Sequence, residues 1–475
     1  MRRVPTRNPR TGALDYELVA QDAAEVSACA TQLRMAQPGW QARPLAERLE
    51  LLDAWGRDIA GSRELLEALV DDTGRLPISQ AELRVAEVLV PRWRKDAPAL
   101  LDENGERPSS AEGILVSRQL VPYPLVGFIT PWNSPLGLSL IDSIPALVAG
   151  CAALVKPSEV TPRFIEPLRS VTARHPEVAG VFALASGDGA TGEAVIDAVD
   201  AVCFTGSVAT GRRVAQRAAG RLIPAFLELG GKDPAIVLVG ADLDRAVPGL
   251  LWGAVNNTGQ LCHSIERIYV HRSLMEPFLG QLVAQAGAVK LARPTLQDGP
   301  VGPIIFERQA KIIAAHLQDA LAQGARILAG GPPELDGGWW MRPTVVVDVN
   351  HRMRLMREET FGPILPVMPF DTPEEAIALA NDTNFGLSAC VWGPEPEARR
   401  IARALNAGGI SINDVSLSAV TLEGEKMAFG ESGLGGSRMG ATSILRFVRR
   451  KALLCSRGTG PDPWWFQPQD FAEAG

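Results

Sequence analysis

The stretch Ala201-Val202-Cys203-Phe204-Thr205-Gly206-Ser207-Val208-Ala209-Thr210-Gly211 decides the fold. A four-residue apolar run gives way to a Thr-Gly-Ser turn and then to a segment compatible with helix. A run this short and uninterrupted fits a strand buried on both faces, as in a parallel sheet covered by helices. Comparable runs occur at 126–129, 152–155 and 235–239, separated by longer helix-compatible stretches and Gly/Pro turns. The alternation is that of βαβ units, so the expected class is α/β. Ligands of such sheets lie beyond the carboxyl ends of the strands. That rule singles out Pro131-Trp132-Asn133, Lys156-Pro157-Ser158-Glu159 and Thr205-Gly206-Ser207.

Outward from this block, residues 45–70 carry Leu49, Leu52, Trp55, Ile59, Leu66 and Leu69 at three- and four-residue steps, an amphipathic helical pattern. Most of the first hundred residues are expected to be helical. A second alternating block spans about 230–414, with a helix expected over 308–323 and a strand over 344–349. Residues 114–124 alternate apolar and polar side chains, 443–454 close the fold, and the segment from Gly458 onward reads as loop.

With 475 residues the chain exceeds one hydrophobic core, and two to three domains are expected. Its net charge of -7 supplies no positive field for nucleic acid or an anionic membrane. The cluster Arg446, Arg449, Arg450, Lys451 reads as a solvated helix face or an oligomer contact. Six cysteines without a C-x-x-C pair suggest neither a zinc site nor a disulfide framework, hence no metal and a reducing compartment. The N-terminus lacks the apolar stretch of a secretory signal, and residues 136–155 are interrupted by Asp142 and Pro145, so no membrane partner is expected and the location is expected to be cytoplasmic.

Three residues are candidates for chemistry. Cys262 sits in the polar, Gly-containing turn Asn257-Thr258-Gly259-Gln260-Leu261-Cys262-His263-Ser264, unlike Cys151 and Cys203 in apolar runs. It is either an inert thiol or an exposed nucleophile; its neighbour His263 reads as a surface histidine. Glu228, in Leu227-Glu228-Leu229-Gly230-Gly231-Lys232, is a lone carboxylate among apolar residues, suited to a general base or to pairing with Lys232. Asn133 is a turn asparagine or an oxyanion donor. The turn Gly206 to Gly211, opening a helix, offers backbone N–H groups to a pyrophosphate. The literal G-x-G-x-x-G at Gly187-Asp188-Gly189-Ala190-Thr191-Gly192 carries an aspartate that repels phosphate and reads as loop.

Six segments, in this order, resemble the NAD(P)-dependent aldehyde dehydrogenase superfamily over roughly 45–454. They are Pro131-Trp132-Asn133, Val155-Lys156-Pro157-Ser158-Glu159, Phe204-Thr205-Gly206-Ser207, Leu227-Glu228-Leu229-Gly230-Gly231-Lys232, Gly259-Gln260-Leu261-Cys262 and Glu358-Glu359-Thr360-Phe361-Gly362-Pro363. The resemblance implies oxidation of an aldehyde to a carboxylic acid, with Cys262 as nucleophile, Asn133 and the Cys262 backbone N–H holding the oxyanion, and Glu228 activating the water that hydrolyses the thioester. It implies Lys156 and Glu159 at the adenosine ribose, Gly206, Ser207 and Gly211 near the pyrophosphate, and Glu359 with Phe361 at the nicotinamide ribose. Ile129, Thr130, Pro131, Trp132, Ser158, Leu229 and Gly230 complete the cofactor set. A carboxylate at Glu159 accepts from a free 2′-hydroxyl and repels a 2′-phosphate, so NAD is expected over NADP.

The implied architecture is a Rossmann-type NAD-binding domain over 1–110 and 126–228 and an α/β catalytic domain over 229–437. A bridging oligomerisation segment over 111–125 and 438–460 implies a homodimer or homotetramer, and 461–475 form a tail. Two departures stand out: Ser134 replaces a frequent bulky aromatic, and the Gly-rich segment 429–438 is shortened and lacks its usual lysine. A coenzyme A-acylating relative would lack the base that Glu228 supplies, and a non-catalytic structural or binding relative would lack nucleophile, base or donor. A phosphorylating dehydrogenase would pair its cysteine with histidine, a role for which His263 is badly placed.

Overall fold

The computed structural model describes residues 2–459 and 462–470; of the expected tail, 461 and 471–475 lie outside the described residues. Five of the short apolar segments form a parallel sheet in the spatial order Phe182–Leu184, Ala152–Lys156, Leu125–Ile129, Ala201–Thr205, Ala225–Glu228, and Gly433–Leu434 adds an antiparallel edge. The chain starts in the middle strand, runs to one side, then returns to the other. The switch point therefore lies between Leu125–Ile129 and Ala201–Thr205, where a crevice opens beyond the strand ends.

Every residue of Leu125–Ile129, Ala152–Lys156 and Ala201–Thr205 is buried, which is why the runs are continuous rather than alternating. Helices cover this sheet, and their apolar faces, with Trp55 and Trp93 fully enclosed, share one core with it. The expected 45–70 helix is two: Leu45–Ala60 stops at Gly61, and Ser62 accepts from Leu65 N–H to start Arg63–Thr73. The hairpin Arg2–Arg7 with Leu14–Ala20 was not expected, since a two-stranded ribbon leaves little apolar periodicity.

A second sheet has seven strands in the order Arg326–Ala329, Thr344–Val347, Ile364–Phe370, Ile265–His271, Asp233–Val237, Ser388–Trp392, Gly409–Ile412, parallel except for the first. Separate apolar clusters cover its two faces. The expected helix near 308–323 is Glu307–Ala322. Although Gly433–Leu434 falls within 229–437, it pairs with Ala225–Glu228 of the first sheet.

Ile114–Pro122 pairs along nine residues with Val448–Ser456, and Arg107–Pro108 adds a third strand. The basic cluster is therefore not a helix face: Arg449, Arg450 and Lys451 lie exposed on the strand, and Arg446 is buried. The expected loop after Gly458 contains a short turn of 3-10 helix at Pro468–Asp470. Among the described residues, no helix is long and apolar enough to cross a membrane.

Candidate active site

Asn133 and Cys262 line one cavity beyond the carboxyl edge of the first sheet, with Gly206, Ser207, Glu359 and Phe361; Glu228, Lys156, Ser158 and Glu159 do not line it. Asn133 follows strand Leu125–Ile129, and Cys262 lies between helix Leu243–Val255 and strand Ile265–His271. Asn133 is buried and its Nδ2 donates to the Gln260 carbonyl at 2.8 Å, while Asn257 Nδ2 donates to the Asn133 carbonyl at 2.9 Å. A primary amide has two N–H groups, so Asn133 keeps one for a second acceptor.

The turn before Cys262 is held in a costly conformation. Asn257, Thr258 and Gly259 have φ of 54°, 58° and 70°. For a β-branched threonine this region costs about 1–3 kcal/mol and persists only when surroundings impose it. Thr258 Oγ1 donates to the Gly302 carbonyl at 3.0 Å, and a Cβ on Gly259 would lie 2.3 Å from the Gly362 backbone. The turn thus aims Cys262 by contacts from three segments remote in sequence.

Cys262 is half-buried, and burial pushes its thiol up to about 11; Lys426 and Arg438 pull it down, and Glu228 and Asp233 add to the rise. Cys203 and Cys390 are buried within strands and Cys151 just before one, so the turn cysteine is better placed as a nucleophile than these three. His263 is not the surface residue expected: it is half-buried, with Nδ1 3.2 Å from Ser416 Oγ. Burial first, then Lys426, push it down to about 4, so the ring is neutral at pH 7. Glu228 ends strand Ala225–Glu228 and is half-buried. The alternative pairing of Glu228 with Lys232 does not occur: Lys232 is buried and its Nζ donates to Glu266 Oε2 at 2.5 Å and Thr360 Oγ1 at 3.1 Å.

A cavity of about 110 Å³ runs from Gly206 and Ser207 past Pro131, Trp132, Leu229 and Gly230 to Asn133, Cys262, Glu359 and Phe361. Ser207 caps helix Val208–Gly220 through Oγ, and the absent side chains at Gly206, Gly211 and Gly230 keep this cradle open. A Cβ at Gly211 would sit 2.5 Å from Leu229 Cδ2, and one at Gly230 2.4 Å from the Glu359 carboxyl. Gly206 N–H donates to the Glu228 carbonyl at 3.1 Å and Gly211 N–H to the Ser207 carbonyl at 2.8 Å, so it is the first N–H groups of the helix, at Val208 and Ala209, that suit a pyrophosphate. Ile129 and Thr130 are buried at the carboxyl end of strand Leu125–Ile129 and do not line the cavity; Thr130 Oγ1 lies 3.2 Å from Ser139 Oγ.

Lys156 is buried and donates to Glu159 Oε2 at 3.0 Å; Ser158 Oγ accepts from Val160 N–H at 3.2 Å. On the other wall, Glu359 accepts from Gly231 N–H at 3.0 Å, and burial, then Glu266, push its carboxyl up to about 8. Glu266 also accepts from Thr360 and Phe361 N–H at 2.7 and 2.8 Å, fixing the turn that presents Phe361 edge-on to Trp132 at 5.4 Å.

Gly187 to Gly192 is not a loop: Asp188 caps helix Gly189–Ala198 and pairs with Arg2 at 2.5 Å. A larger cleft of about 850 Å³, between Leu14–Ala20, helix Ala23–Gln41 and the edge strand Phe182–Leu184, shares no residue with the Cys262 cavity.

Sequence reasoning missed two groups. Asp142 lies buried between Arg438 and Arg446, at 2.7 and 2.8 Å, and Arg438 also reaches Thr205 Oγ1. Burial alone would raise Asp142, but the two guanidiniums outweigh it and hold it below the usual range. A charge inside the apolar run 136–155 was a signal that a buried cation must answer it. The second group is Lys426, which has no local sequence signal because its loop follows the strand Gly409–Ile412 by more than ten residues.

A switch-point cradle at a helix start, facing a second α/β unit, is the layout of a dinucleotide-binding α/β protein. The sequence model of the aldehyde dehydrogenase family matches residues 1–453, and the chain belongs to that family. It is 38% identical over 450 residues to a 4,4'-diapolycopene aldehyde oxidase from Methylomonas sp, covering 92% of this chain and 83% of that one. It is 36% identical over 461 residues to a Mycolicibacterium smegmatis protein provisionally named a succinate-semialdehyde dehydrogenase [NADP(+)], covering 93% and 86%. Among solved structures, one from Anabaena variabilis, provisionally named aldehyde dehydrogenase PutA, superposes with a TM-score of 0.95 at 52% identity, covering 98% of this chain and 100% of that one. PnpE in complex with nicotinamide adenine dinucleotide gives 0.91 at 30% identity, covering 97% and 96%.

Proposed function

We propose that this aldehyde dehydrogenase works through a covalent thioester on Cys262 and prefers NAD. The observation that carries the reading is the Asn133 amide, fixed by Gln260 and Asn257 beside the Cys262 turn with one N–H unspent. The Cys262 sulfur, as thiolate, adds to the aldehyde carbon. The carbonyl electron pair moves onto oxygen, which Asn133 Nδ2 and the Cys262 backbone N–H receive. When bound, the dinucleotide accepts the hydride that leaves that carbon, so the acyl group stays on sulfur as a thioester. Glu228 takes a proton from water, whose oxygen attacks the acyl carbon; the C–S bond breaks and the acid leaves.

Gly206, Ser207 and Gly211 would hold the pyrophosphate, Lys156 and Glu159 the adenosine ribose, and Glu359 with Phe361 the nicotinamide ribose. Because Glu159 already neutralises Lys156, that ammonium is not free to receive a 2′-phosphate. The family relatives include proteins named for NADP, so cofactor choice is tested directly. The nine-residue pairing of Ile114–Pro122 with Val448–Ser456, with Leu453 and Leu454 exposed, supports a dimer or tetramer through this sheet. Six unpaired cysteines support a reducing, cytoplasmic setting.

The test follows reduced-nicotinamide absorbance with NAD or NADP and a panel of aldehydes, with and without coenzyme A, beside Cys262→Ala. Turnover without coenzyme A that vanishes in Cys262→Ala is the expected result. Turnover only with coenzyme A supports the acylating alternative, and dinucleotide binding without turnover the non-catalytic one.

A further inference from the structure

Among the described residues near Cys262, Lys426 is the lysine that forms no ion pair within 4 Å, although its charge is felt by the buried carboxyl of Asp233, itself bonded to Ser388. Lys156 is answered by Glu159 and Lys232 by Glu266, and Arg438 likewise by Asp142. The Lys426 Nζ makes one long hydrogen bond, to Ser418 Oγ at 3.5 Å. An ammonium has three donors, so most of its capacity is unspent.

Its position is built rather than incidental. Strand Gly409–Ile412 begins with a glycine, and a Cβ there would lie 3.0 Å from Lys426 Cδ and 2.8 Å from Ser418 Oγ. The lysine stem and Ser418 therefore pack directly onto the strand start. The Lys426 backbone N–H donates to Ser437 Oγ at 3.0 Å, which pins the loop. The charge is felt at the site: it is the leading electrostatic counterweight to burial at Cys262, and it adds to burial in keeping His263 neutral. His263 joins Ser416 on the same side, and none of His263, Ser416, Ser418 and Lys426 lines the cavity that ends at Cys262.

We propose that Lys426, with the Ser418 hydroxyl, is a specificity-determining residue that takes a carboxylate carried by the aldehyde substrate. The inference rests on the aldehyde-oxidising reading above. The Lys426 ammonium keeps donors unspent beside the Ser418 hydroxyl, and a carboxylate accepts charge-assisted bonds from ammonium and hydroxyl together. A wholly hydrocarbon aldehyde would leave the cation unanswered.

The test compares kcat/KM for 4-oxobutanoate and butanal in the wild type, Lys426→Met and Lys426→Arg. The wild type should favour the acid, Lys426→Met should lower the acid-to-neutral ratio about tenfold or more, and Lys426→Arg should retain most of it. A ratio unchanged in Lys426→Met, with both substrates falling together, would assign Lys426 to the thiolate alone and overturn the proposal. A binding readout needs neither turnover nor a variant: succinate, but not butyramide, should slow alkylation of wild-type Cys262 by iodoacetamide. Equal protection by both, or by neither, also overturns it. Failure of the oxidation reading would instead show as no reduced nicotinamide from either aldehyde, with succinate protection intact.

Discussion

Asn257 and Asn133 are joined across the two sheets: the side-chain amide of one donates to the backbone carbonyl of the other at 2.9 Å. One hydrogen bond thus couples the strained turn before Cys262 to the residue offered as oxyanion donor. Asn133→Ala should lower kcat about 100- to 1,000-fold, the loss typical of one such donor, with little change in thermal stability. Asn257→Ala should reduce both kcat and thermal midpoint, because its αL conformation loses its tether. Steady-state kinetics beside calorimetry separates the two; an Asn133→Ala enzyme of wild-type kcat would remove Asn133 from the mechanism.

The thiol at Cys262 sits well above its ordinary range, at about 11. The thiolate is the nucleophile. In the protein without cofactor, iodoacetamide should therefore alkylate it at a rate rising roughly tenfold per pH unit from 7 to 9, with no plateau in that range. A plateau near pH 7 would show that the free enzyme already holds a thiolate. Cys262→Ala identifies the reacting site by mass.

Glu359, pushed up to about 8 by burial and Glu266, has a folded-state value above its unfolded one. The sign follows: its neutral form stabilises the fold fully below the ordinary glutamate range, and that stability is lost as pH rises through 8. The carboxylate is also the form that accepts most strongly from ribose hydroxyls. Between pH 7 and 9 the KM for NAD should fall while the apo thermal midpoint declines. Glu359→Gln should flatten both profiles; unchanged profiles in that variant would place the titration elsewhere.

Asp142 bonds to two buried guanidiniums. Asp142→Asn leaves Arg438 and Arg446 buried without their counter-charge and should cost about 3–5 kcal/mol in urea unfolding. Because Arg438 also holds Thr205, the KM for dinucleotide should rise in the same variant.

Glu159 lies at the expected adenosine ribose with Lys156 3.0 Å away. Glu159→Gln removes a negative charge and frees the ammonium, so the NADP-to-NAD ratio of kcat/KM should rise roughly tenfold, about 1.4 kcal/mol. A ratio above one in the wild type would reverse the proposed preference.

The sequence by itself determined the parallel sheets and the candidate residues of the proposed site. Buried parallel strands must be continuous apolar runs, so 126–129, 152–155 and 201–204 could be read without coordinates, and the same topological rule makes the turns after them the candidates for ligand contact. The six family segments supplied Cys262, Glu228 and Asn133. What only the tertiary structure decided are the pairings between distant segments. His263 is shielded because Ser416, 153 residues away, meets it. Lys232 belongs to Glu266 rather than to Glu228, and Asp142 is answered from 296 and 304 residues away. The N-terminal hairpin, the helix at Gly189 and the free charge of Lys426 were hidden for the same reason. Local sequence records which face of an element must be buried, whereas the partner of a charge depends on which segments the sheets bring together, and that is a property of the packed chain.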